Sequence, residues 1–219
     1  MKSKKKNCII AIFVILTLLV LTTLFIKGQY VFAKKVQYHD NFGIIDTYLG
    51  KTYESIEYYS NYILEAPEET HGDQLINFVQ GMAYEGLVFY YAAVTSEGII
   101  ETDEIIKGLE WMLAAKVKRV NISLSSKIYS KELDDWIQNH PQIKIYSSYN
   151  NLYNSITDYP ALYDNVIASG CDRRIDYRVQ DHRYKNNNII VFSGGIKKYK
   201  GNSFLSLYSL LTERESISS

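Results

Sequence analysis

The chain has 219 residues, of which 47% are apolar, and 24 Lys and Arg stand against 24 Asp and Glu. A formal charge of zero gives no indication of a nucleic-acid partner, and two cysteines exclude a disulfide framework or a zinc site built from cysteine. With 20 Tyr and 8 Phe but only 3 Pro and 12 Gly, the composition also excludes a disordered chain and a collagen-like repeat. We therefore expect one globular domain with an appended segment.

The first 33 residues differ from the rest of the chain. They contain five Lys and no acidic residue, whereas the remaining residues carry a net charge of −5. An uncharged, strongly apolar run of 19 residues extends from Cys8 to Ile26. As an α-helix, a run of this length is long enough to span a hydrocarbon core of about 30 Å. We predict that residues 1–33 form an N-terminal signal or membrane-anchor segment.

Two outcomes are open for this segment. Small residues around Val31–Ala33 have the spacing that a signal peptidase reads, which favours secretion after cleavage. The apolar run is longer than the usual signal-peptide core, which favours a retained anchor. Four Lys precede the run and three follow soon after it, a weak positive-inside bias. We therefore predict a single-pass cell-membrane protein with residues 34–219 outside the cytoplasm, and secretion after cleavage is the alternative.

Short β-rich runs alternate with longer helical patterns through the remainder of the chain. This alternation predicts an α/β domain with a mainly parallel sheet, and no internal repeat or long linker divides residues 34–219. The predicted strands are 42–46, 87–94, 117–124, 143–147, 165–169 and 189–192, and the predicted helices are 71–84, 102–115, 131–139 and 203–211.

Polar residues stand where these predicted elements begin or end. Asp46 ends the first strand, Asn150 follows the strand 143–147, and His71 and Ser203 each begin a helix. In open α/β sheets the functional groups gather beyond the carboxyl ends of the strands. Taken singly, each residue also fits a turn or a helix cap, so it is their joint placement that favours a functional site.

The segments that carry these residues resemble those of the subtilisin-like serine proteases. Phe42–Thr47 resembles the strand that ends in the family's catalytic Asp. His71–Leu75 resembles the His-Gly-Thr-His-Val start of the helix that carries the catalytic His. Gly201–Phe204 resembles the Gly-Thr-Ser-Met turn that carries the nucleophile. Ile143–Asn150 is similar to the segment that ends in Ala-Ala-Gly-Asn, and Tyr159–Ala168 to the Tyr-Pro-Ala…Val-Ile-Ala stretch. The chain order Asp, His, Ser is that of subtilisin.

This resemblance implies a three-layer subtilisin-like domain and a serine endopeptidase. It implies that Ser203 is the nucleophile, that His71 removes its proton, and that Asp46 orients the imidazole. It also implies that the Asn150 side chain and the Ser203 backbone N–H stabilise the oxyanion.

The resemblance further implies a peptide or protein substrate, bound as an added strand along Ser123, Leu124 and Ser125. No cofactor and no metal site is expected, because the histidines lack metal-ligand spacing and no acidic loop has a calcium-ligand pattern. The membrane is the other expected partner, through the N-terminal helix, and no nucleic acid is expected.

The motifs also depart from the family pattern. Asp73 and Gln74 replace a Thr and a His, Tyr149 replaces the Gly before the oxyanion Asn, and Asn202 replaces the Thr before the nucleophile. The pair Ser125–Ser126 replaces the Gly-Gly of the substrate strand. A catalytically impaired pseudoprotease that binds extended peptides is therefore the alternative function, and an unrelated extracytoplasmic adhesion or structural domain is a third.

Overall fold

The computed structural model describes residues 12–22, 30–31, 40–61, 69–95, 97–151, 156–171, 188–192, 195–196, 199 and 201–212. The strands are β1 (Tyr30–Val31), β2 (Phe42–Asp46), β3 (Ile56–Ser60), β4 (Val88–Ala92), β5 (Arg119–Ile122), β6 (Lys144–Ser148), β7 (Val166–Cys171), β8 (Ile189–Phe192) and β9 (Gly195–Ile196). The helices are α1 (residues 12–22), α2 (His71–Gly81), α3 (Thr102–Ala114), α4 (Lys131–Asn139) and α5 (Asn202–Thr212).

Seven parallel strands form the main sheet, in the order β3-β4-β2-β5-β6-β7-β8. After β2 the chain forms the edge strand β3 and then β4, which lies between β3 and β2, and it crosses to the other side of β2 with β5. Strand β2 therefore lies at a topological switch point, and the crevice beyond its carboxyl end is where open α/β sheets bind ligands. Asp46 is the last residue of β2.

Helices cover both faces of the sheet. Ile44 of β2 packs in the cluster that contains α2 and α5, whereas its neighbour Ile45 packs in the cluster that contains α3 and α4. Because both faces of β2 are covered, all five of its residues are buried, which explains its unbroken apolar run. The predicted three-layer α/β fold with a mainly parallel sheet is confirmed.

Helix α5 runs antiparallel to the strands. At its start, the Asn202 side chain accepts a hydrogen bond from the backbone N–H of Cys171, the last residue of β7. Near its end, the Leu210 carbonyl accepts one from Arg119, the first residue of β5. The first turn of α5 therefore lies at the same edge of the sheet as Asp46.

The described elements differ from the sequence prediction at several points. Strand β3 was not predicted, because its three central residues, Glu57, Tyr58 and Tyr59, are exposed at the edge of the sheet and do not alternate between apolar and polar. The strand predicted over 117–124 forms only over Arg119–Ile122. Helix α2 ends at Gly81 and not at Tyr84, because Ala83 adopts a left-handed φ of 54° that a continuing helix does not allow.

The predicted apolar run of the N-terminal segment is helical over residues 12–22, and its other residues lie outside the described part of the chain. The large apolar side chains of α1 are 50% to 72% exposed on all sides. Within the described ranges, no helix has both the length and the apolar character needed to cross a bilayer. Strand β1, inside the segment 1–33, pairs with β9.

Candidate active site

A buried carboxylate meets an imidazole at the carboxyl end of β2. Asp46 is 0% exposed, and its Oδ1 lies 2.8 Å from Nδ1 of His71, the first residue of α2. Because an ionised carboxylate can only accept, the Nδ1–H of His71 is the donor. The backbone N–H and the hydroxyl of Thr47 donate to the same oxygen at 2.7 and 3.1 Å. The contact therefore fixes both the tautomer and the orientation of the ring.

The electrostatic surroundings of His71 act in opposite directions. Burial disfavours the charged ring and by itself lowers the pKa, but the hydrogen bond to Asp46 and the charge of that carboxylate raise it. The net result is a pKa above the ordinary value of 6.5. Such an imidazole is a stronger base than a free one, as proton removal from a weak nucleophile requires.

The first turn of α2 is held by Asp73, at one of the positions that depart from the family pattern. Asp73 and the N-cap Thr70 form a reciprocal capping box, in which the Thr70 hydroxyl accepts from Asp73 N and the carboxylate accepts from Thr70 N. The same buried carboxylate accepts from Gly50 N at 3.0 Å and from the Tyr53 hydroxyl at 2.9 Å. Asp73 therefore ties the loop after β2 to the helix that carries His71.

The electrostatics of Asp73 agree with this structural role. Burial raises the pKa of the carboxyl group, but hydrogen bonds from Thr70, Tyr53 and Gly50 outweigh that effect and lower it below the ordinary value of 3.8. The group is therefore an anion at neutral pH.

Gly72 is required because of the residue packed beneath it. The Tyr90 hydroxyl donates to the Thr47 carbonyl at 2.6 Å and so supports the loop after Asp46. A Cβ at position 72 would lie 2.0 Å from that hydroxyl oxygen. Gly72, directly after His71, thus leaves room for the buried hydroxyl that supports the loop after Asp46.

Ser203 is the second residue of α5 and is 4% exposed. The next residue, Phe204, has its ring centroid 6.4 Å from that of His71. The first turn of α5 therefore faces the Asp46–His71 pair, and the structure brings these three parts of the chain to one edge of the sheet.

The start of α5 is fixed by the loop after β6 and by the end of β7. Asn151 Oδ1 accepts from the backbone N–H of Asn202 at 2.6 Å. The Asn202 side chain accepts from Cys171 N at 3.3 Å and donates to the Tyr149 carbonyl at 3.4 Å. Gly201, at a φ of +113°, makes the sharp entry into the helix. Asn202, another departure from the family pattern, therefore anchors the helix that carries Ser203.

Asn150 and Tyr149 follow β6. The half-buried Asn150 donates from Nδ2 to Oδ2 of the buried Asp158 at 2.6 Å. The Tyr149 ring packs over Gly170, where a Cβ would lie 2.3 Å from it. Tyr149 is also not among the described non-glycine residues with positive φ, so the Gly that the family has at this position is not needed for backbone conformation here.

The segment proposed to bind substrate lies beyond the end of β5. Ser123 is half-buried and donates to Asn121 Oδ1 at 2.7 Å, Leu124 packs against the cluster of α3 and α4, and Ser125 is exposed. In the described part of the chain these three residues pair with no strand, which corrects the prediction of a strand through Leu124.

Sequence reasoning missed three residues that build this edge. Asp73 had a detectable signal, because a Thr followed three residues later by an acidic residue has the spacing of a capping box. Asn151 and Asp158 had none, because each acts on a partner that only the folded loops bring near. Within the described ranges, no group of three or more His, Cys, Asp or Glu residues has the arrangement of a metal site.

No family model matches the chain. The minor extracellular protease Epr of Bacillus subtilis (strain 168) is 25% identical over 125 residues. That match covers 53% of this chain and 19% of Epr, so the chain spans about a fifth of this relative.

Two solved proteases are similar in fold. The protease domain of PatA, solved as its S218A mutant, has a TM-score of 0.57 at 14% identity, over 79% of this chain and 77% of that one. The prenylagaramide maturation protease PagA has a TM-score of 0.56 at 12% identity, over 78% of this chain and 72% of that one. Together with the match to Epr, these likenesses show that the chain has a subtilisin-like fold.

Proposed function

We propose that this protein is a serine endopeptidase that hydrolyses peptide bonds through Asp46, His71 and Ser203. The observation that carries the proposal is the 2.8 Å contact between the buried Asp46 carboxylate and His71 Nδ1 at the switch point of a subtilisin-like fold. A protein that only binds peptide has no use for an imidazole whose pKa is raised by a buried carboxylate.

In this mechanism His71 removes the hydroxyl proton of Ser203 as the oxygen attacks the carbonyl of the scissile bond. Asp46 stabilises the imidazolium that forms. The Asn150 amide and the backbone N–H of Ser203, at the start of α5, stabilise the tetrahedral oxyanion. The imidazolium then protonates the leaving amine, and water releases the acyl group by the reverse sequence.

The substrate is a peptide or protein in extended conformation, bound along Ser123, Leu124 and Ser125. These residues continue from the end of β5, next to the sheet edge that holds Asp46, so an added strand there would carry its peptide bonds past the site.

The proposed location is the outer side of the cell membrane, with the run Cys8–Ile26 as the anchor. The all-round exposure of apolar side chains on α1 supports this, because a helix that packs against a protein core buries one face. The relative Epr is named an extracellular protease. Release after cleavage near Ala33 is the alternative.

The decisive experiment is labelling of the purified full chain with a fluorophosphonate probe. We expect the wild type to label, Ser203→Ala to show no labelling, and His71→Ala to label at least about 100-fold more slowly. Ser209→Ala is the matched control, because Ser209 lies on the same helix and its hydroxyl donates to the Leu205 carbonyl four residues back.

A folded wild-type chain that never labels would contradict the endopeptidase proposal. If that chain still bound extended peptides, with affinity reduced by substitutions at residues 123–125, the pseudoprotease alternative would hold.

A further inference from the structure

Asp158 is a buried carboxylate that the proposed mechanism does not use. It is 6% exposed, and each of its oxygens has one side-chain donor. The Asn150 amide nitrogen donates to Oδ2 at 2.6 Å, and the Thr157 hydroxyl donates to Oδ1 at 3.0 Å. Neither of these donors is a cation, so both of these contacts are hydrogen bonds and not ion pairs.

The backbone around Asp158 is fixed independently of Asn150. Its carbonyl accepts from Leu162 N at 3.2 Å. The next residue, Tyr159, exchanges two backbone hydrogen bonds with Ser126, at 2.8 and 2.9 Å, in an antiparallel bridge. The carboxylate is therefore attached to a segment with hydrogen bonds of its own, and Asn150 follows the end of β6. The 2.6 Å contact joins these two segments, with the Asn150 amide as the donor and the Asp158 carboxylate as the acceptor.

We propose that Asp158 is a positioning residue that orients the Asn150 amide toward the oxyanion, an inference that rests on the oxyanion role of Asn150 proposed above. An amide nitrogen carries two N–H groups. When one of them donates to Oδ2 of Asp158, the plane of the amide is fixed and the direction of the second N–H is set. Oxyanion stabilisation depends on donors that are already oriented before reaction, and a displacement of about 1 Å costs about 100-fold in rate.

The experiment measures phosphonylation of the full chain by a fluorophosphonate probe at several concentrations, which separates the maximal rate from the half-saturating concentration. We expect Asn150→Ala to lower the maximal rate about 100- to 1,000-fold, the range known for an oxyanion donor in subtilisin itself. We expect Asp158→Ala to lower it about 10- to 100-fold, with little change in the half-saturating concentration.

The decisive measurement is the rate of the double variant that combines Asp158→Ala with Asn150→Ala. If Asp158 acts through Asn150, Asp158→Ala added to Asn150→Ala should lower the rate by less than about twofold more. Asp158→Asn keeps an acceptor oxygen and should retain most of the maximal rate. Asp158→Glu shifts the acceptor by one methylene and should lower the maximal rate. Asp164→Ala, an exposed Asp six residues along, is the control. If Asp158→Ala does not fold, the Asn and Glu variants carry the same comparison.

Three results would overturn the proposal. An equal loss from Asp158→Ala with and without Asn150 would mean that the carboxylate acts on its own. A loss seen with a lysyl phosphonate but not with a leucyl phosphonate would make Asp158 a binding residue for a cationic side chain. A normal rate for Asp158→Ala beside a slow Asn150→Ala would leave the oxyanion role intact and remove the positioning role. A normal rate for Asn150→Ala would instead contradict the proposed function of Asn150.

Discussion

At the scale of single residues, the surroundings of His71 are those of a general base. Its Nδ1 is engaged by a carboxylate that is sealed from solvent, and its pKa is raised because the hydrogen bond and charge of Asp46 outweigh burial. A general base works only when it is unprotonated. The pKa of this one ring therefore sets the lower pH limit of the proposed activity.

We expect the phosphonylation rate of the full chain to rise with pH through a midpoint above 6.5, as His71 loses its proton. Asp46→Asn should lower both the midpoint and, by up to about 10⁴-fold, the rate, because the group that raises the pKa and sets the tautomer is lost. His140→Gln, on the far end of α4, is the control and should change neither. A midpoint below 6.5 in the wild type would contradict this assignment.

The raised pKa of His71 affects stability in the opposite direction to activity: the proposed activity rises with pH, whereas this contribution to stability falls. Because the folded state holds the His71 proton more tightly than the unfolded state does, this contribution to the free energy of unfolding is full below pH 6.5. It disappears as the pH rises through the folded-state pKa. The proposed activity therefore appears as this stabilisation is lost.

At the scale of elements, the departures from the family pattern are accommodated by local contacts. Asp73 caps α2 and holds the loop after β2, and Asn202 ties α5 to the ends of β6 and β7. Tyr149 packs on Gly170 with an ordinary backbone. Each of these substitutions is part of the framework that positions Asp46, His71 and Ser203.

Removing the Asp73 carboxylate should loosen the α2 end of this framework. We expect Asp73→Asn to lower the free energy of unfolding by about 1–3 kcal/mol at pH 7, because an amide N–H₂ would face buried donors. The difference from wild type should shrink below pH 3.8, since a carboxylate with a lowered pKa stabilises above its unfolded value and loses that effect as it is protonated.

Urea denaturation of the full chain at pH 7 and pH 3 measures this. Asp103→Asn is the matched control, because Asp103 is exposed in the first turn of α3 and that helix has no side-chain cap. If the two variants were equally stable, the hydrogen bonds from Thr70, Gly50 and Tyr53 to the Asp73 carboxylate would contribute nothing measurable and the framework role would be wrong.

At the scale of the whole molecule, charge and hydropathy divide the chain into two parts. The Lys-rich, apolar segment 1–33 has no acidic residue, while the rest carries a net charge of −5. A membrane anchor concentrates apolar residues without charges, and its Lys-rich flank stays on the cytoplasmic side. The proposed topology follows from that asymmetry.

We expect the full chain to stay in the membrane fraction after alkaline carbonate extraction. We also expect that protease added to intact cells degrades residues 34–219. Replacing Leu16 and Leu19 in the apolar run by Lys should release the chain from the membrane fraction, since each Lys costs about 2.5–3.5 kcal/mol at the centre of a span. Replacing the charged Lys127 and Lys131 by Leu is the control. Protection of the domain until the cells are lysed would reverse the topology.

The sequence determined the fold class, because the alternation of short apolar runs with helical patterns depends only on local composition and period. It also placed Asp46, His71, Asn150 and Ser203 at the ends of elements, since strand and helix boundaries carry turn and cap signals. It did not predict β3, whose exposed central residues at the sheet edge lack an apolar period.

Only the tertiary structure decided which side chains hold the site together. The contacts of Asp158 with Asn150, of Asn151 with Asn202 and of Tyr53 with Asp73 join residues 8, 51 and 20 positions apart. Such pairs follow no period along the chain, because they depend on how loops at the carboxyl edge of the sheet fold toward one another. The sequence therefore indicates which segments carry the candidate site residues, and the packing of those loops determines how the side chains of the site are oriented.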